Sequence, residues 1–351
     1  MTKIISFPHL GNYYVPLRYL LKKLSRCEVI IPDKNNRQTI MNGTKYSPDE
    51  ICVPFKYNLG NYLNALSKGA NILIQGGGGC RYGYFAELQE AILRREGYDF
   101  EFINLIKNNH VSIIKLYKSM KKLNKKLNIF SFSYYLLQGL LIMIFMDNQE
   151  KYLRENIGFE EIPNRFEKLE KSFLNAYSQE NLGIIKIIKI YLKFRRLYRS
   201  VPLKDVPKKE ILLIGELYSL IDLESSHNLE RTIAKKGFKV IRYTNLTYLL
   251  IIKRFMKPIL LFKGRKYVKY LLGADGTESI VHSLDHAKKR VSGIIHLKSF
   301  GCVPELNAIP TLNRISNDYQ VPIMYLSFEG ENNIANIDTK LEAFQDMINK
   351  N

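Results

Sequence analysis

Apolar and polar positions change their rhythm along the 351 residues. In the first hundred, short apolar runs, "KIISF" (3–7), "EVIIP" (28–32), "NILIQ" (71–75) and "FEFIN" (100–104), alternate with stretches near 14–24, 55–67 and 84–95 that repeat at helical spacing. Short continuous runs between helical stretches predict strands buried on both faces and joined by crossover helices, which is an α/β domain with a parallel sheet. From about 108 to 205 the period is helical only, and "SVPLKDVPKKE" (200–210), with two prolines, reads as a linker. The first rhythm then returns in "EILLIG" (210–215), "FKVIRY" (238–243), "GIIHL" (293–297) and "VPIMYL" (321–326), with a closing helix over 338–350. The predicted fold class is α/β: two doubly wound, Rossmann- or flavodoxin-like parallel-sheet domains, 1–107 and 208–351, with a helical domain, 108–207, inserted between them. The length agrees, because single cores stop growing near ~250–300 residues. Such a plan is expected to place a cleft between the two sheets.

Charge changes the picture little. The net charge of +20 comes mostly from lysine spread along the chain. Its densest runs, "KLYKSMKKLNKKLN" (115–128) and "KIIKIYLKFRRLYR" (186–199), read as amphipathic helices with solvated basic faces. No nucleic-acid motif accompanies the charge, so a nucleic-acid partner is not expected. Residues 129–146, "IFSFSYYLLQGLLIMIFM", are uncharged and reach the lower limit of a membrane span. Two serines, a glutamine and a glycine interrupt them, and a buried helix is expected rather than a span. "MTKIISFPHLGNYY" lacks the long apolar core of a secretory leader, and four cysteines are too sparse for a disulfide framework, so the expected location is a reducing cytoplasm.

Three of those cysteines fall where a parallel sheet presents its ligand edge, between the end of a strand and the start of a helix. Cys80 follows "NILIQ" through Gly76–Gly79 and precedes "YFAELQEAILRR"; the glycines allow a tight turn and leave room beside the thiol. Cys52 and Cys302 both stand in the tripeptide Cys-Val-Pro, and proline favours the first helical turn. Each is thereby predicted at a helix N-terminus, where unpaired N–H groups and the macrodipole favour a thiolate. Cys27 instead precedes the strand "EVIIP" and belongs to the opposite, amino edge. Three thiols without a local paired spacing fit a structural zinc site poorly, whereas soft thiolates suit iron–sulfur chemistry, and three ligands leave one iron of a four-iron cluster open. Spacing alone leaves two readings: a shared metal site, or separate small buried residues.

The segments "CVPFKYNLGNYLNAL", "GGGGCRYGYFAELQ", "GELYSLIDLESSHNLERTIAKKGFKV", "SGIIHLKSFGCVPEL" and "TKLEAFQDMI" together, and in this order, resemble the 2-hydroxyacyl-CoA dehydratase and activase-related family, relatives of the 2-hydroxyglutaryl-CoA dehydratase subunits. The resemblance covers the two α/β parts and not the helical middle. It implies that Cys52, Cys80 and Cys302 ligate an iron–sulfur cluster, a [4Fe-4S] cluster in dehydratases or a double-cubane cluster in a reductase branch. It further implies an oxygen-sensitive lyase or reductase component acting on an acyl-CoA thioester. There, one low-potential electron makes a ketyl radical of the thioester carbonyl and permits loss of water. The electron is implied to come from an ATP-hydrolysing activator that carries its own cluster. This chain has no G-x-x-x-x-G-K-[ST] loop, which agrees with ATP belonging to that partner. A related subunit or a second copy is a further implied partner. Lys56, Arg81, Tyr82 and Glu305 are the expected neighbours of the cluster. The alternative is a cluster-bearing electron-transfer or assembly protein without a substrate of its own.

Overall fold

The computed structural model describes residues 2–77, 84–107, 110–328 and 334–350. The apolar runs of the first hundred residues form one parallel sheet. Its strands β1 (Ile4–Ser6), β2 (Glu28–Val29), β3 (Ile72–Gln75) and β4 (Glu101–Asn104) lie in the order β2-β1-β3-β4, with Ile5 opposite both Val29 and Ile72. Alternation along the strands separates two cores. Ile5, Ile72, Ile74 and Ile103 face a cluster with Leu21 and Leu24 of α1 (Tyr14–Ser25). Leu73 joins the other, with Phe55, Leu59 and Tyr62 of α3 (Val53–Ser67) and Leu93 of α4 (Phe85–Arg95). Between α1 and α3 runs α2 (Arg37–Tyr46), a helix that the apolar pattern does not predict. It is started by Asn36, whose side chain accepts from Thr39 N–H, and it meets α3 at backbone contact. A Cβ on Gly43 would lie 1.7 Å from the Lys56 carbonyl oxygen, and one on Gly60 2.0 Å from that of Thr39, so both positions demand glycine.

A short antiparallel pair, β5 (Ile106–Lys107) and β6 (His110–Val111), leads into the helices. These are α5 (Ile113–Leu123), α6 (Ile129–Asn156), α7 (Arg165–Tyr177) and α8 (Ile184–Arg199). The basic run 115–128 is helical only to Leu123, where Asn124 takes up extended backbone. Helix α6 is long and apolar enough to cross a membrane by length and composition, and 33% of its most apolar window is buried. Phe132, Ile142, Met143 and Met146 are buried while Phe130, Tyr134 and Leu137 are exposed, so the expected buried helix is buried along one side. The chain divides into two compact units, Met1–Met146 with Lys171–Phe194 and Asp147–Glu170 with Arg195–Asn351; α6, α7 and α8 each contribute to both.

The second unit holds the second parallel sheet: β7 (Lys209–Gly215), β8 (Phe238–Ile241), β9 (Gly293–Ser299) and β10 (Ile323–Phe328), ordered β10-β9-β7-β8. Helices α9 (Leu217–Ile221), α10 (Leu229–Lys235), α11 (Lys253–Gly264), α12 (Gly276–Ala287), α13 (Val303–Tyr319) and α14 (Ile334–Lys350) accompany it. Leu212, Ile214 and Ile294 pack with Ile280 and Leu284 of α12 and with Leu312 and Ile315 of α13. Taken in chain order from its first strand, each sheet runs second, first, third, fourth; the protein is thus α/β with two parallel sheets flanked by helices, compatible with Rossmann-like folds.

A buried ion network ties the part of α6 in this unit to the end of β8. Arg242 lies 2.6 Å from Glu150 and 3.0 Å from Glu230, and Arg154 donates to the Arg242 carbonyl at 3.2 Å. Burial alone would raise the Glu150 carboxyl, but Arg242, Arg154 and Arg231 outweigh it and hold the group below its usual range.

Candidate functional site

In an open parallel sheet, ligands bind beyond the carboxyl ends of the strands, where the chain switches the side on which it adds strands. In the second unit the chain passes from β7 to β8 on one side and returns to β9 on the other, so the switch point is the gap between β7 and β9. The two strands are pressed together there. Gly215 closes β7 at φ +132°, and a Cβ on it would lie 1.7 Å from the Leu297 carbonyl oxygen, which only glycine allows.

The next residue, Glu216, is buried and caps α9. Its carboxylate accepts from Tyr218 N–H at 2.7 Å, Ser219 N–H at 3.1 Å and the Ser219 hydroxyl at 2.7 Å. Burial pushes its pKa up to about 7, with Asp275 adding to the rise and the three donors opposing it. Asp275 itself precedes α12. With Glu278 it holds Lys253 of α11 at 2.7 and 3.0 Å. Burial disfavours the ammonium, but the two carboxylates outweigh burial and raise the Lys253 pKa; Glu278 is raised by its own desolvation.

Across the gap, β9 ends at Ser299 and a two-residue turn delivers Cys302 as the N-cap of α13. The thiol is buried, makes no capping hydrogen bond, and is followed by Pro304 in the first turn. Glu305, one residue further, is fully buried: its Oε2 lies 2.7 Å from His296 Nε2 and accepts from the Ser279 hydroxyl at 2.9 Å. One carboxylate therefore fastens the strand β9, the helix α12 and the helix that Cys302 begins. Glu305 Oε1, His296 Nδ1 and Ser299 Oγ are buried without hydrogen-bond partners among the described residues.

The first unit repeats part of this arrangement. Its switch point lies between β1 and β3. At the end of β3 the Tyr62 hydroxyl donates to the Ile74 carbonyl at 3.0 Å and also reaches Gln75 Oε1. Burial raises the Tyr62 pKa well above its usual value. Cys52 is the buried N-cap of α3, extended at φ −64° and ψ 148°, with Pro54 in the first turn and no capping hydrogen bond from its side chain. Lys56, one turn on, donates to the Asp49 carbonyl at 3.3 Å.

Cys52 and Cys302 thus occupy the same position relative to their helices, one in each unit, as the Cys-Val-Pro pattern predicts. Cys80, Arg81 and Tyr82 lie outside the described residues. Cys27 directly precedes β2, whose first residue pairs with the first residue of β1, which puts it at the amino edge; its N–H donates to Ser25 Oγ at 3.0 Å. Among the described residues no group of three His, Cys, Asp or Glu side chains is gathered to hold a metal ion. The donor chemistry of Cys52 and Cys302, thiols at helix N-termini, suits a soft anionic group. Glu216, Asp275, Glu278, Ser279 and Lys253 were not singled out by sequence reasoning. For the three acids the signal is a carboxylate at or within the first turn of a helix that follows a strand or tight loop, as in "IGELYS" and "GADGTES". No protein-family model matches the chain, and no curated protein matches it.

Proposed function

We propose that the chain is an iron–sulfur protein of the 2-hydroxyacyl-CoA dehydratase-like kind, with Cys52, Cys80 and Cys302 as cluster ligands and an acyl-CoA thioester as substrate. In this reading it is two doubly wound domains with the helical domain 108–207 inserted between them, working in a reducing cytoplasm beside an ATP-hydrolysing activator. The observation that supports it best is the shared placement of Cys52 and Cys302: buried thiols, each the N-cap of a helix with proline in its first turn. A helix N-terminus stabilises a thiolate, and thiolates are the usual protein ligands of iron–sulfur clusters. The cluster would supply one-electron chemistry at low potential.

The chain's own residues set the surroundings. Glu305, held by His296 and Ser279, fixes the first turn of α13 and with it the direction in which Cys302 presents its sulfur. Glu216, which burial pushes up to about 7, caps α9 at the switch point and keeps the turn after β7 in place. Lys253, Asp275 and Glu278 carry fixed charge at the start of α12. The test is anaerobic reconstitution of the full chain with iron and sulfide, followed by iron and acid-labile sulfide counts and electron paramagnetic resonance of the reduced protein. A cluster signal with about four irons per chain is expected for one cubane bound by three thiolates; protein that retains neither iron nor sulfide overturns the proposal.

A further inference from the structure

The π-helical turn Tyr248–Ile252 feeds into α11, and together they carry an apolar stripe that none of the described residues covers. Ile252, Phe255, Ile259 and Phe262 are 41%, 73%, 45% and 67% exposed. Their spacing of three, four and three residues puts all four on one face of a helix. Leu260 of α11 is buried in the unit, and Lys263, one turn beyond Ile259 and so beside the stripe, reaches Asp285 of α12 at 3.0 Å. Lys253, buried between Asp275 and Glu278, pins the start of the helix to the α12 N-terminus. The stripe is thus a fixed feature of a packed helix.

The segment that carries the stripe is basic, with Lys253 and Lys263 paired to acids of α12 and its N-cap. From Leu246 to Ala274 the chain holds Lys253, Arg254, Lys257, Lys263, Arg265, Lys266 and Lys269 and no acidic residue. The Arg265 guanidinium stands over the exposed Phe262 ring, 4.8 Å from its centroid, so positive charge borders the apolar surface directly. We propose that this stripe is the docking face for an acidic amphipathic helix of a partner protein.

The four anchors, three and four residues apart, match the seam of a helix–helix contact, and Leu250 and Ile251, 44% and 38% exposed, continue the apolar surface toward the start of the π-helical turn. Another occupant fits less well. A second copy of this chain docking by the same face would bring two sets of cations together, which like-charge repulsion opposes. The inference rests on α11 and its surroundings and is independent of whether the cysteines carry a cluster.

The test uses the full chain and two synthetic helical peptides with leucine at the a and d positions of each heptad, one with glutamate and the other with lysine at e and g. Fluorescence anisotropy is expected to show binding of the glutamate peptide alone. The affinity should weaken as salt rises and fall about tenfold or more in Phe255→Asn/Phe262→Asn, as loss of interface anchors does. Both side chains are exposed, so the melting temperature of that variant should match the parent protein. The proposal is overturned if neither peptide binds, if both bind alike, or if the double variant binds as the parent does. It is also overturned if the chain pellets with phosphatidylserine-containing vesicles, or forms a dimer in sedimentation, in a way that the double variant abolishes.

Discussion

Replacing Glu305 with alanine removes a buried polar side chain that joins β9, α12 and α13 three residues after Cys302. Two hydrogen bonds are lost, to His296 at 2.7 Å and to Ser279 at 2.9 Å, both in fully or nearly fully buried surroundings. Leaving buried hydrogen-bonding partners unsatisfied costs roughly 1–3 kcal/mol each, which gives about 2–6 kcal/mol for the pair. For a unit of this size it corresponds to a fall in melting temperature on the order of 10 °C. Glu305→Gln keeps an acceptor oxygen for Ser279 and should cost only about 1–2 kcal/mol. Circular dichroism melts and urea titrations of both variants measure this, and a cycle with Ser279→Ala should show coupling of about 1 kcal/mol. Glu305→Ala melting within about 2 °C of the parent protein would refute the reasoning, because the carboxylate would then be holding nothing together.

Glu216 titrates near 7 when folded and in the ordinary glutamate range when unfolded, so its contribution to stability is fully present at acid pH and is lost as pH rises through about 7. Glu216→Gln should flatten that decline, by about 2–3 kcal/mol between pH 5 and pH 8 in urea unfolding; an identical pH profile for the two proteins would count against the burial argument. Gly215→Ala forces a Cβ into the Leu297 carbonyl at a φ that only glycine adopts readily, and soluble folded yield should fall sharply; wild-type melting would contradict the close approach of β7 and β9. Arg242→Ala leaves Glu150 and Glu230 buried without their nearest cation and should cost about 3–5 kcal/mol by chemical denaturation.

The strands were legible because apolar runs of four to seven residues with little interruption have few other uses. β7 over Lys209–Gly215 and β9 over Gly293–Ser299 lie within two residues of the expected ends. The order of the strands was not legible, since it depends on the side to which each crossover turns. Helix α2 escaped notice because Gly43 and its many polar residues depress the helical pattern, while contact with α3 supplies what propensity lacks. Cys52 and Cys302 at helix starts were readable from the proline two positions on. The Glu305, His296 and Ser279 cluster was not, because its members come from three elements whose meeting is decided by packing.

The central claim is that thiols at the carboxyl edges hold iron and that the thiol at the amino edge does not. Iron per chain after anaerobic reconstitution, measured in parallel for Cys27→Ser, Cys52→Ser, Cys80→Ser and Cys302→Ser, tests it most directly. A hydroxyl is a harder and far less acidic ligand than a thiol, so the last three variants should lose most of their iron while Cys27→Ser keeps nearly all of it. Iron stripped from Cys27→Ser as thoroughly as from the others, or iron fully retained by Cys52→Ser and Cys302→Ser, would contradict the account.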